Sequence, residues 1–175
     1  MHVKNTLTEY GLISKFLHWV SAILLCVQIP LGFYLVDLDF GPERLDVENI
    51  HIIVGLSLFY LVILRLLYKM FNPTPRLQPS IFKGQKFLAK LNHVLLYVTI
   101  LSITSSGILK KLFDGETLII FFKEIEIQEN FGLTELFYDI HVFSNYLIIL
   151  LIIIHLMAVT VHKLFFNDNL LKKML

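Results

Sequence analysis

The stretch that decides the fold is His141-Val142-Phe143-Ser144-Asn145-Tyr146-Leu147-Ile148-Ile149-Leu150-Leu151-Ile152-Ile153-Ile154-His155. It contains no acid, lysine or arginine, and it lies in an uncharged run that extends from Ile140 to His162. A helix needs about 20 apolar residues to cross the roughly 30 Å hydrocarbon core of a bilayer, and this run is long enough. Its two histidines are 14 residues apart, so on a helix they fall within about 40° of one face and about 21 Å apart along the axis. Histidine in a lipid-embedded helix is costly unless it faces the bundle interior and finds a partner.

Three further runs meet the same length test: Leu12 to Val36, Ile50 to Phe71 and Phe87 to Leu109. With Ile140 to Phe166 they predict an all-α integral membrane protein, a four-helix up-and-down bundle forming a single domain over residues 1–175. The composition agrees. Of 175 residues, 56% are hydrophobic and only 17% are charged, against about 25% in average globular chains; the mean hydropathy is +0.71. Pro30 falls inside the first run, where a bend is expected. Asn72-Pro73-Thr74-Pro75 ends the second. The N-terminal run has no small-residue cleavage site and carries a histidine, so it reads as a retained span and not a signal peptide. The apolar segment Thr117 to Phe122 is too short to span and reads as an interfacial or covering piece.

The net charge of +1 hides an asymmetry. The two termini and the connection between spans two and three hold 11 of the 15 basic residues and only two acids, Glu9 and Asp168. The other two connections hold four basic residues (Arg44, Lys110, Lys111 and Lys123) and 12 of the 14 acids. The positive-inside rule then places both termini in the cytoplasm. Near-neutrality offers no basic excess for nucleic acid. The lone Cys26 excludes a disulfide framework, a Cys-ligated zinc module and a self-ligated iron–sulfur cluster.

Up-and-down topology sorts the histidines by depth. His18, early in span one, falls level with His155. His51, at the start of span two, falls level with His141. Any one of them reads equally well as a buried histidine bonded to backbone or hydroxyl; four in two depth-matched pairs on different helices point to metal centres. Zinc wants four ligands, or three and a water, and each level supplies two. Six-coordinate haem b wants two, with the porphyrin between helices. Two haems stacked across the bilayer follow, His18/His155 holding one and His51/His141 the other. No Cys-x-x-Cys-His run exists for covalent haem. Arg65, 14 residues after His51, shares its face about 21 Å further in, where a guanidinium can bind propionates; a plain flanking charge is the alternative. Gly55, one turn from His51, lets a flat ring approach the backbone or serves helix packing. His162 and His93 sit near the inner surface, suited to proton exchange with a quinone; a propionate partner or an interfacial side chain is the alternative.

In addition, Ser14-Lys15-Phe16-Leu17-His18-Trp19, His51-Ile52-Ile53-Val54-Gly55, Leu64-Arg65 leading to Pro73-Thr74-Pro75, Lys90-Leu91-Asn92-His93 with Gly107, and Ile140-His141, His155 and His162 leading to Phe166-Asn167-Asp168-Asn169 resemble the prokaryotic cytochrome b561 family along essentially the whole chain. The resemblance implies two b haems with bis-histidine ligation in the same pairing, and electron transfer with quinone. It also implies a bacterial inner-membrane location, and either a superoxide:quinone oxidoreductase activity or a cytochrome or anchor subunit that serves a redox partner protein. Superoxide is an anion, and the acid-rich outer connections repel it unless Lys110, Lys111 and Lys123 form a local funnel. A different class of reading is a non-redox transporter that moves protons or metal ions along a histidine relay; no inverted repeat or broken helix is evident to favour it.

Overall fold

The computed structural model describes residues 2–75, 83–166 and 170–174. Four helices dominate: α1 (Leu12–Asp37), α2 (Pro42–Phe71), α3 (Gln85–Phe113) and α4 (Phe131–Phe165). All four are long and apolar enough to cross a membrane. They alternate in direction, so the termini and the α2–α3 connection share one end, here called basal, and the other two connections share the apical end.

Three helices overrun the apolar runs by clear margins. α2 begins at Pro42, eight residues before Ile50. Proline at the first helical turn needs no N–H partner, so the helix starts there and carries a charged turn beyond the apolar run. α4 begins at Phe131, where the Asn130 side chain accepts from the Leu133 N–H, 3.1 Å, an N-cap that satisfies one orphan donor. α3 extends to Phe113 with Lys110 and Lys111 in its last turn, where cations complement the helix dipole. α1 runs unbroken through Pro30. α2 stops at Phe71, and Asn72 is extended as the following proline demands.

The helices pack in sequence order, α1 on α2, α2 on α3 and most extensively α3 on α4. α1 and α4 touch far less, and Phe33 meets Tyr146 across that gap with ring centres 6.2 Å apart. Mid-bundle, Leu25, Leu58, Val62, Ile100 and Ile148 form a buried apolar layer with a contribution from every helix. Ile148 lies midway between His141 and His155 and is wholly buried. This layer separates the two histidine levels.

Residues 117–122 cover, as their composition suggests. Leu118–Ile120 (β1) pairs antiparallel with Lys123–Ile125 (β2) in the register Leu118↔Ile125. Leu118 and Ile120 pack on Leu112, Ile52, Leu56 and Ile108, so the hairpin lies against α2 and α3. Its two-residue tip, Phe121 and Phe122, holds φ of 49° and 62°, a left-handed pair usually given to Asn-Gly. The Phe121 N–H donates to the Tyr60 hydroxyl, 3.0 Å, so α2 supplies the acceptor that the turn lacks. At the basal end, a 3-10 turn (Leu170–Lys173) precedes Met174, whose carbonyl accepts from the Trp19 indole, 2.7 Å.

Candidate haem sites

At the apical level, His51 of α2 and His141 of α4 face each other with ring centres 6.2 Å apart and planes at 67°. Two imidazoles on opposite sides of one metal ion, each bonded at about 2 Å, have ring centres about 6 Å apart. The His141 Nδ1 donates to the Ile103 carbonyl, 2.8 Å, with the Ser106 hydroxyl 3.4 Å away. A proton held on Nδ1 leaves the Nε2 lone pair free, the arrangement of a metal-ligating histidine with its supporting carbonyl.

Small residues on flanking helices make room for both rings. A Cβ on Gly107 would come within 3.1 Å of the His141 ring, and one on Gly32 within 3.1 Å of His51. Neither position stands out in the sequence for this role, because a glycine in an apolar run reads equally well as helix packing. Gly55 has a different neighbour: a Cβ there would meet the Gln28 amide at 3.3 Å. Gln28 uses that space to donate from Nε2 to the His51 carbonyl, 2.9 Å. Its Oε1 and the His51 Nδ1 are both buried without a hydrogen-bond partner.

The basal level is more crowded. His155 lies against His93 of α3, ring centres 5.3 Å apart and planes at 87°. The His93 Nδ1 donates to the Ala89 carbonyl, 2.6 Å. His18 of α1 lies within charge–charge range of His155 and His93, and Arg65 donates from Nη2 to its Nδ1, 2.8 Å. The His162 Nε2 is 2.8 Å from the Gln85 amide, one level further toward the basal surface. The depth sorting thus places His18, His155 and Arg65 together as the spacing predicts. Helix-wheel arithmetic does not see that α3 brings His93 directly against His155, because depth alone does not say which helices are neighbours.

The residues present fit haem b at the apical level on two observations: facing imidazoles at bis-ligand spacing, and a glycine against each ring where a side chain would crowd it. Among the described residues no group of three or more His, Cys, Asp or Glu side chains gathers as a metal cage.

The family model for prokaryotic cytochrome b561 matches residues 9–175. The chain belongs to the prokaryotic cytochrome b561 family. It is a multi-pass membrane protein of a family of haem b electron-transfer cytochromes. It is similar to cytochrome b561 homolog 2 of Escherichia coli (strain K12), 30% identical over 122 residues that cover 69% of this chain and 65% of that protein. The match thus spans just under two thirds of the relative.

Two apical lysines of this cytochrome are held in ion pairs. Lys110 pairs with Asp114 at 2.8 Å. Lys111, nearly buried, pairs with Glu48 of α2 at 2.8 Å and also with Glu116. Two of the three lysines that could form an anion funnel are therefore neutralised by carboxylates.

Proposed function

We propose that this cytochrome holds two b haems, His51/His141 at the apical level and His18/His155 at the basal level, and passes electrons between a periplasmic-side donor and quinone. The carrying observation is the His51–His141 pair at 6.2 Å, with His141 Nδ1 anchored on a backbone carbonyl. Both termini lie in the cytoplasm of a bacterial cell on this reading, which sets the basal end inward in the inner membrane. Bound haem supplies a one-electron store at each level.

The chain's own residues do the rest. His51, His141, His18 and His155 fix the two sites by depth. Gly55 sits one turn from His51 and, with Gln28, holds the helix backbone close. Arg65 supplies basal positive charge to a propionate. His93 and His162 exchange protons where quinone, two electrons and two protons make quinol. The buried apolar layer of Leu25, Leu58, Val62, Ile100 and Ile148 favours electrons over ions as the traffic. An electron tunnels across one apolar layer, whereas a proton or metal ion needs a chain of polar partners, and the buried hydroxyls nearest this layer, Thr99 and Ser144, supply no titratable group between the two histidine levels. That supports the cytochrome over a histidine-relay transporter.

Purified protein should show dithionite-reduced b bands and two pyridine haemochromes per chain; no b bands would end this reading. The donor is the finer question. Two superoxide anions would each lose one electron and leave as O₂, and the two electrons with two protons would reduce one quinone to quinol. With Lys110 and Lys111 ion-paired, the acid-rich apical face suits a cationic redox partner protein better than an anion. Pulsed superoxide separates the two: haem reduction no faster than dismutation competes would exclude the oxidase, and fast reduction would exclude the partner-fed form as the sole route. Co-purification of a dehydrogenase would instead favour an anchor or cytochrome subunit role.

A further inference from the structure

Arg65, Tyr68 and Lys69 stand at i, i+3 and i+4 on α2, one face of the helix. The Arg65 guanidinium lies 5.2 Å and the Lys69 ammonium 4.9 Å from the centre of the same Tyr97 ring. Lys90 of α3 is within charge–charge range of Lys69. Like charges one turn apart repel, and the three ion pairs found among the described residues all lie at the apical end. Lys69 is exposed, yet its ammonium lies over an aromatic face shared with Arg65. On the same stretch of α2, the Tyr68 hydroxyl is buried with no hydrogen-bond partner among the described residues. A buried hydroxyl with no partner is a donor that lacks an acceptor.

Arg65 carries the same message from the other side. Its donation to His18 Nδ1 puts the imidazole proton on Nε2, the atom that must be bare to ligate iron. Arg65 and a metal therefore compete for His18, and Arg65 needs an anion to move to.

We propose that Arg65, Tyr68 and Lys69 form a seat for a pair of carboxylates, the two propionates of the basal haem, with Lys69 and Tyr68 as positioning residues. The inference rests on the two-haem reading above and adds Lys69 and Tyr68 to it. A lipid phosphate shares this oxyanion chemistry, and the test separates the two.

The test is potentiometric titration of the two-haem holoprotein in nanodiscs, wild type against Lys69→Gln, Lys69→Arg and Tyr68→Phe. Removing a cation beside propionates favours the ferric state. Lys69→Gln should lower the basal haem's reduction equilibrium by about tenfold, which is about 59 mV for a one-electron couple. Tyr68→Phe should shift it the same way by less, and Lys69→Arg should leave it near wild type. The apical wave, identified by its loss in His141→Ala, should not move. Two haems with an unmoved basal wave overturn the seat alone. A shift seen only in nanodiscs containing phosphatidylglycerol assigns the site to lipid and overturns it too. Protein without b haem overturns the parent reading and this one together.

Discussion

The two ends of the bundle solve the same problem in opposite ways. At the apical level the imidazoles face each other at 6.2 Å, each with a glycine at its edge, and the lysines above them are tied to carboxylates. At the basal level three histidines crowd together, Arg65 occupies one of them, and cations gather on a tyrosine ring with no carboxylate partner among the described residues. The two apical lysines are balanced by carboxylates. Among the described residues the basal cations have no carboxylate to balance them. The comparison teaches that a ligand's charge can be read from what a site leaves unbalanced as well as from what it holds.

The strongest way to break this comparison is to remove ligands level by level. His141→Ala or His51→Ala should cost one haem per chain and leave the basal haem, and His155→Ala should do the reverse; pyridine haemochrome counts check both. Crowding comes next. Gly107→Val should expel or misligate the apical haem, because even a Cβ meets the His141 ring at 3.1 Å, and the low-spin signal of that haem alone should fall in electron paramagnetic resonance. Third, Lys111→Ala strands Glu48 and Glu116 beside an apolar cluster. Discounting for their partial exposure, this should cost about 1–3 kcal/mol in thermal unfolding. Lys110→Ala, which breaks a more exposed i,i+4 pair, should cost about 0.5 kcal/mol or less. Equal effects of the two lysines would remove the case that Lys111 clamps the apical end.

Much of this was legible from residue order. The four apolar runs, the break at Asn72-Pro73 and the depth of each histidine follow from hydropathy and a fixed helical rise. Helix ends were not, because a helix does not stop where lipid stops: Pro42 and Asn130 start their helices outside the apolar runs on local capping chemistry. The hairpin was legible only as a cover. Its Phe121-Phe122 turn lacks the Asn-Gly signature, and the acceptor that supports it, Tyr60, is some sixty residues earlier. Within the sites, depth sorting placed His18 and Arg65 beside His155. It missed His93 as a direct neighbour and Gly32 as a ring cushion, since both depend on which helices abut.

α4 carries one histidine of each level on a single unbroken helix from Phe131 to Phe165. The vertical separation and relative bearing of the two sites are thus one quantity, a length of chain. A single residue inserted between Asn145 and Leu151 would swing His155 by about 100° relative to His141, leaving one site built and the other dismantled. Seven inserted residues would nearly restore the bearing but add about 10 Å of depth. In this architecture, change to the α4 midsection is quantised: composition is free to drift, and residue number is not.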